Sequence, residues 1–285
     1  MNQSKLYDFD EHFDDYLTQW IQKNQARYQK PEDMEEAMPE VYAKWLNIPA
    51  KWLEGAKPGE YFNRFTSGEE LCELVRRYTQ EGVCLPDPLL DRLLEVGDED
   101  AMMALLTDEA APCEARMCMV DLLRSLESTK PMVDYLRWQV ERKYDADLLD
   151  NALDSLRQMG QVTVRPGKIA FAAADEEGKE ALLDLLADYP GDEDVFQFAL
   201  RSFLTKKDKR ALFAGYLAKL GDDRALEHLL DVAEGDEVTY ADFLEIRSAI
   251  ERLGGEAPVK DWTGDPTFQA FRQLQKAQMP KRKLN

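Results

Sequence analysis

The feature that most constrains this chain is a spacing of about 30 residues between helix-ending signals. A Gly-Asp pair followed by an apolar helical run occurs at 97–106, at 191–200 and at 221–230. In each copy the glycine is placed to end one helix, the aspartate is placed to cap the next, and the apolar residues fall on one face. Recurrence at a period of this length is typical of helical repeat proteins.

Glu127, Gly160 and Gly254 stand at equivalent helix ends and extend the series. The positions 97, 127, 160, 191, 221 and 254 are separated by 30, 33, 31, 30 and 33 residues. Each interval has room for two helices of about 10–14 residues and a short turn. The series therefore predicts helix pairs that repeat along most of the chain.

One further pair is expected before the first Gly-Asp signal. Ser67 and Glu70 form a capping box, and Pro86 and Pro88 are placed to open the second helix of that pair. The sequence thus predicts an all-α fold: an α-α superhelix, or solenoid, of about six helix-pair repeats with a period of 30–33 residues.

The expected domain organisation has three parts. A helical N-terminal cap, dense in Trp, Tyr and Phe, is predicted over 1–65, the repeats over 66–254, and a C-terminal cap and tail over 255–285. The aromatic residues of the first part also suit a partner-binding element. The tail ends in a short basic run at 281–283, which is typical of a frayed terminus.

One repeat departs from the pattern at 161–171. There Val-Thr-Val and Ile-Ala-Phe flank Arg-Pro-Gly-Lys, which favours a short hairpin or an extended loop interrupting the array. Irregular insertions often carry function, so 161–177 is a candidate site. The alternative is a degenerate repeat that merely covers the core.

The repeats resemble a known family. Gly-Asp-Asp-Arg-Ala-Leu at 221–226, followed by Glu-Ile-Arg-Ser-Ala-Ile-Glu-Arg-Leu-Gly at 245–254, is similar to the short HEAT-like repeats of the phycobilisome-lyase type. The likeness extends over 97–254 and leaves the first 65 or so residues outside it. It implies the fold and transfers no activity.

A fainter likeness lies in the N-terminal region. Trp-Leu-x-x-Pro at 45–49 and Leu-x-Gly-x-x-Pro-Gly-x-Tyr-Phe at 53–62 are similar to the C-terminal domain of a class of antitoxins, with Glu54 where that pattern has a glycine. This alternative implies a partner-regulated module that depends on residues 1–65.

Charge narrows the choice of partners. The 36 Lys and Arg against 56 Asp and Glu give a net charge of −20, and the segments 1–80, 81–160 and 161–285 carry −5, −10 and −5. A protein that neutralises phosphates needs a basic domain or stripe, so nucleic acid and anionic membranes are poor partners. The beginning of the chain has no apolar leader-like run, and no stretch approaches the ~20 apolar residues of a membrane span.

The spacing of the four cysteines indicates which cellular compartment the protein occupies. Cys72, Cys84, Cys113 and Cys118 show no C-x-x-C spacing, which favours free, buried or half-buried thiols. Together with the absence of a leader-like run, this predicts a cytoplasmic protein without a membrane segment.

Motifs for chemistry are scarce. The chain has two histidines, His12 and His228, more than 200 residues apart, and no P-loop, dinucleotide-binding or nucleophile-elbow motif. The stretch 231–242 fails as a calcium loop because Gly235 falls at the fifth position instead of the sixth, Ala233 occupies the third, and Asp242 replaces the bidentate Glu at the twelfth. Thr239 is better placed as a helix N-cap. The sequence predicts no catalytic residue, cofactor or metal site.

The functional expectation is a non-enzymatic scaffold that binds a protein or peptide in the groove of the solenoid. Five arginines on second helices could face acidic partner groups or remain solvated: Arg116, Arg124, Arg157, Arg247 and Arg252. The alternative is an enzyme on the same scaffold, of the nucleic-acid base glycosylase type, which the net charge disfavours. The partner-binding residues stay unidentified at this stage.

Overall fold

The computed structural model describes residues 5–28 and 30–278, with side chains as far as Leu274, and the secondary structure of this part is helical without a strand. The predicted all-α class is confirmed. The basic run at 281–283 lies outside the described residues.

The N-terminal region contains three α-helices and three 3₁₀ segments. The bounds of the α-helices are α1 Phe9–Asn24, α2 Pro31–Glu35 and α3 Met38–Leu46. The 3₁₀ segments are Gln25–Arg27, Lys51–Leu53 and Pro58–Arg64.

From Gly68 to Arg252 the helices follow one another in pairs, and one helix follows the last pair. The bounds of these elements are α4 Gly68–Glu81, α5 Asp87–Val96, α6 Glu99–Thr107, α7 Cys113–Ser125, α8 Met132–Glu141, α9 Ala146–Met159, α10 Val164–Ala173, α11 Glu176–Leu186, α12 Glu193–Thr205, α13 Arg210–Leu220, α14 Ala225–Glu234, α15 Tyr240–Arg252 and α16 Pro266–Gln278. The capping of α4 by Ser67 and the opening of α5 at Pro86 agree with prediction.

All six residues that the sequence predicts to end helices at 30–33-residue intervals adopt a left-handed backbone. Their φ values are +64° at Gly97, +54° at Glu127, +69° at Gly160, +94° at Gly191, +67° at Gly221 and +84° at Gly254. A left-handed residue after a helix lets the chain reverse while the last carbonyls keep hydrogen-bond partners. The spacing of 30–33 residues is therefore also a spacing of chain reversals.

The aspartate of the Gly-Asp pair caps the N-terminus of the following helix in two of the three copies. The carboxylates of Asp98 and Asp192 accept hydrogen bonds from the N–H groups of Ala101 and Val195. In the third copy, Asp222 accepts from the N–H of Arg224 at 3.0 Å instead, so it forms a turn ahead of α14 and does not cap the helix.

Contacts between successive pairs join residues about one period apart. Lys130 bonds Asp100 at 2.7 Å and Asn151 bonds Asp121 at 3.1 Å, each across 30 residues. In the later repeats Arg224 bonds Glu193 at 2.8 Å across 31 residues. This register places equivalent positions of neighbouring pairs side by side.

The described residues divide into two compact units. The first runs as far as Trp138 and includes Lys143–Met159, and the second comprises Gln139–Arg142 and the chain from Gly160 onward. The expected boundaries at residues 65 and 254 remain predictions.

The hairpin or loop predicted at 161–171 is wrong. Residues 160–163 form a 3₁₀ turn and 164–173 form α10, which is the regular first helix of its pair. Thr163, Gly167, Phe171 and Ala174 are buried, at helical intervals of four, four and three. Pro166 lies in the first turn, where no helix hydrogen bond needs its missing N–H. The local signals for a turn were thus overridden by packing.

The aromatic residues of the N-terminal region form a packed cluster. The ring of Phe9 lies 5.5 Å from that of Phe62, 5.1 Å from Trp52 and 6.3 Å from Trp45, measured between centroids. Phe9, Trp45 and Phe62 are buried. The cluster is therefore a hydrophobic core of its own within the first unit.

Polar contacts tie this cluster to the first helix pair. The hydroxyl of Tyr78 donates to the carbonyl of Tyr7 at 3.0 Å, and Arg92 donates to the carbonyl of Phe65 at 3.1 Å. Near the other end of the chain, Trp262 packs against Phe243 at 4.9 Å. Each terminal region thus contacts its neighbouring helix pair.

Candidate functional site

A polar cavity of the first unit lies where α7 and α9 end. Its volume is ≈ 390 Å³. The lining residues are Arg124, Glu127, Ser128, Thr129, Pro131, Tyr135, Ser155, Gln158 and Met159. We call it the Tyr135 pocket, after the side chain that α8 contributes.

The end of α7 gives the pocket its shape. Glu127 is left-handed, and Ser128 N–H reaches back to Leu123 O at 3.0 Å, so the helix ends in a Schellman motif. The chain then turns into α8, where the N–H of Tyr135 donates to Pro131 O at 2.9 Å. This tight connection holds the loop over the side chain of Tyr135.

Arg124 bridges the second helices α7 and α9. Its Nε donates to Ser155 Oγ at 2.9 Å, and its Nη2 donates to the carbonyl of Asn151 at 3.0 Å and to the Asn151 side-chain oxygen. Asp121 lies 3.4 Å from the same nitrogen. Because these partners fix its orientation, Arg124 presents a preorganised cationic edge to the pocket.

The wall of the pocket is anchored to the preceding helix pair. Ser128 is buried and donates to the carboxylate of Glu99 at 2.7 Å, and its oxygen accepts from the N–H of Lys130. Glu99 lies in the first turn of α6. The pocket therefore depends on how the neighbouring helix pairs are aligned.

Tyr135 is fully buried, and its hydroxyl has no hydrogen-bond partner within the described part of the chain. Burial raises its pKa above that of an ordinary phenol, although the nearby charge of Arg124 acts in the opposite direction. The hydroxyl is therefore neutral at physiological pH and can both donate and accept. Native proteins rarely leave such a group unpaired, because its lost hydration is not replaced.

This arrangement is suited to binding and poorly suited to acid–base catalysis. The lining offers hydroxyls, an amide and a guanidinium, with Glu127 as the acid among the described lining residues. The lining residues do not supply the pair of acids that many hydrolases use, and Ser128, the lining hydroxyl that bonds a carboxylate, is buried in the wall against Glu99. A carbonyl or amide group of a ligand would satisfy the Tyr135 hydroxyl, with the charge of Arg124 nearby.

The five arginines singled out from the sequence do not converge on one place. Arg124 lines the Tyr135 pocket, whereas Arg116 is buried at the other end of α7. Arg157 pairs with Asp154 on its own helix, Arg247 pairs with Glu251 at 2.7 Å, and Arg252 is exposed. Arg116 and Arg124 are therefore packed residues, while Arg157 and Arg247 form local surface ion pairs.

The histidines lie apart from the pocket. His12 stacks on Trp52 with ring centroids 4.0 Å apart, and His228 is half-buried on α14. The segment 231–242 contains the end of α14 and the N-cap Thr239 of α15, as predicted. Among the residues described, no group of three or more His, Cys, Asp and Glu could hold a metal ion.

The cysteines are free. Cys72 is buried, Cys113 and Cys118 are half-buried, and Cys84 is exposed, which differs from the buried or half-buried setting expected for all four. The sulfur of Cys72 contacts that of Met119 at 4.0 Å, inside the core of the first unit.

Sequence reasoning missed Tyr135. A usable signal was present, since Tyr135 and Trp138 stand three apart on α8 and share one helix face, which favours both polar-tipped rings facing the core. Neither the Tyr135 hydroxyl nor the Trp138 indole N–H finds a hydrogen-bond partner among the described residues, and this depends on residues distant in sequence.

Comparison with known proteins adds no relative: no family model, no curated protein and no solved structure matches this chain. Within the described helices, none combines the length and apolar character needed to cross a membrane.

Proposed function

We propose that this chain is a non-enzymatic protein-interaction module in which HEAT-like helix pairs stack as an α-α solenoid. A segment of a partner protein lies along the second helices of the pairs. The observation that carries this proposal is the Tyr135 pocket, which opens between the second helices α7 and α9 and contains an unpaired buried hydroxyl.

The stacking part rests on the regular register. Left-handed positions recur every 30–33 residues, and ion pairs such as Lys130–Asp100 link equivalent positions of neighbouring pairs. The second helices α5, α7 and α9 pack in succession, as do α13 and α15. Successive packing of equivalent helices is how solenoids build an extended binding surface.

The binding part rests on the chemistry of the pocket. Arg124 lies near the end of the second helix α7 and Tyr135 near the start of the first helix α8, and both line the pocket with groups that can donate hydrogen bonds. A partner side chain that carries an amide, such as Asn or Gln, can accept from them and donate to the Tyr135 oxygen. Such a contact gives specificity because either group left alone in the pocket costs free energy.

The test uses a photo-cross-linking amino acid at Gln158, which is exposed at the pocket mouth. We expect a discrete cross-linked protein in lysate of the native host. The matched control places the same group at Val133, which is 68% exposed on α8 and does not line the pocket. The control should not give this product.

A second arm connects the product to the hydroxyl. Tyr135→Phe, introduced into the chain that carries the cross-linking amino acid at position 158, should weaken binding of the purified partner about tenfold, because one buried hydrogen bond contributes about 1.4 kcal/mol. Equal cross-linking from Val133, or a saturable catalytic activity of the purified chain, would contradict the proposal.

A further inference from the structure

A second cavity of the first unit lies at the opposite ends of α7 and α9. Its volume is ≈ 490 Å³. The lining residues are Glu109, Ala111, Cys113, Arg116, Lys143, Tyr144 and Asp145. We call it the Arg116 cavity.

Arg116 is 5% exposed and incompletely paired. Its Nε donates to Leu106 O at 2.9 Å, while its Nη2 is buried and has no hydrogen-bond partner within the residues described. The guanidinium carbon lies 5.0 Å from the ring centroid of Trp138 and 4.5 Å from that of Tyr144. With rings against the guanidinium, a further partner must approach in its plane, where the N–H groups point.

The nearby carboxylates bond to other groups. Glu109 accepts from the Tyr144 hydroxyl at 3.1 Å and lies 3.6 Å from Lys143. Asp108 pairs with Arg76 at 2.7 Å. Among the side chains that the structure describes, no carboxylate forms an ion pair with Arg116 within 4 Å. A buried cation without such a partner is costly, which points to an anion supplied from outside.

The N-termini of α7 and α9 also favour a negatively charged group in the Arg116 cavity. The cavity contains the first residue of α7, Cys113, and Asp145, the residue that precedes α9. The N-cap position of α7 is Pro112, which provides no side-chain cap, so the first N–H groups of that helix are not capped by their own N-cap residue. Unpaired N–H groups and the helix dipole favour negative charge at such an end.

We infer that the Arg116 cavity binds a carboxylate group. A planar group with two oxygens matches the edge of a guanidinium whose faces meet aromatic rings. The site goes beyond the proposed function, because it lies at the other ends of the two helices and needs no partner at the Tyr135 pocket. The carboxylate can belong to a small acid or to the last residue of a peptide.

The test compares N-acetylglycine with N-acetylglycinamide, a neutral molecule of nearly the same shape, at constant ionic strength. N-Acetylglycine should raise the thermal unfolding midpoint of the full chain in a saturable way, and the amide should not. Longer N-acetylated peptides with a free or amidated C-terminus distinguish the two sources, since only a peptide site would bind the longer acid more tightly.

Two variants decide the role of Arg116. Arg116→Met should abolish the stabilisation by N-acetylglycine, and without carboxylate it should unfold slightly earlier than the parent chain because Leu106 O loses the bond from Nε. Asp145→Asn should strengthen binding several-fold, because it removes a competing negative charge while the backbone carbonyl that receives Leu149 N–H remains.

Three results would overturn the inference. They are equal stabilisation by acid and amide, stabilisation that survives Arg116→Met, and weaker binding of N-acetylglycine in Asp145→Asn.

Discussion

Gly68 lies against Asp98, 30 residues later in the chain: a Cβ built on Gly68 would fall 2.3 Å from the Cβ of Asp98. Gly68 is the first residue of α4, and Asp98 caps α6. The starts of two successive first helices therefore approach so closely that no side chain fits between them.

Gly68→Ala should lower the free energy of unfolding by about 2–4 kcal/mol. The added methyl group overpacks the contact and displaces Asp98 from its cap. Urea unfolding measures the loss. The matched control is Gly215→Ala in α13, where a Cβ meets no atom within 4 Å, and it should gain about 0.5–1 kcal/mol. If both variants gained stability, the close approach of α4 and α6 would be incorrect.

Glu127→Gly should stabilise the chain by about 1 kcal/mol, because Glu127 takes the left-handed position of a Schellman motif at φ +54°. Thermal unfolding would show a higher midpoint. Gly97→Ala, at φ +64°, is the reverse change and should lower it. A lower midpoint for Glu127→Gly would show that the carboxylate makes a contact worth more than the strain.

Tyr135→Phe should leave stability unchanged or raise it by up to about 2 kcal/mol, since it removes a buried hydroxyl that has no partner in the described structure. Tyr78 is the matched control: it is equally buried, but its hydroxyl donates to Tyr7 O at 3.0 Å. Tyr78→Phe should cost about 1 kcal/mol in urea unfolding. Equal losses in the two variants would mean that the Tyr135 hydroxyl is satisfied in the free protein.

Stability should fall as the pH rises above about 9. Burial raises the pKa of Cys72 and of Cys118 to about 12, from an ordinary value of 9.0. The folded state therefore keeps these protons more tightly than the unfolded state does. The stabilisation is complete below pH 9 and is lost between pH 9 and 12, at roughly 1.4 kcal/mol per pH unit for each thiol.

Urea unfolding at pH 8.0 and pH 10.5 would measure this loss. Cys72→Ala removes one titrating group, so the difference between the two pH values should shrink. Repulsion among the many surface carboxylates would not respond to this substitution. An unchanged pH dependence in Cys72→Ala would contradict the role of the thiol.

Most of the helix boundaries that were predicted correctly depend on residues next to one another in the sequence. Helix caps such as Ser67 and Thr239 act on N–H groups within three residues, so their pattern is visible in the sequence. The left-handed positions are visible for the same reason, and even Glu127 was identified by its spacing from the glycines. The residues that begin and end each helix are thus determined by the sequence within about one helical turn of those ends.

Tertiary contacts decided what the sequence misjudged. Gly167 of α10 packs on Leu186, which a Cβ would approach to 3.3 Å, so a helix forms where Val-Thr-Val and Pro-Gly favoured extended chain. Whether the polar atoms of Arg116 and of Tyr135 find hydrogen-bond partners likewise depends on residues that are distant in sequence and are brought together by the packing of helix pairs. Neither cavity could be predicted from residues near it in sequence.

The contacts that span 30 residues also bear on how the chain folds. Bringing together residues such as Lys130 and Asp100 closes only a short loop, and the entropy of loop closure grows with the logarithm of its length. Folding should therefore be fast for a chain of this size and should spread from pair to pair. The bond between Tyr7 and Tyr78 spans 71 residues, so the N-terminal region should join last and exchange its amide hydrogens first.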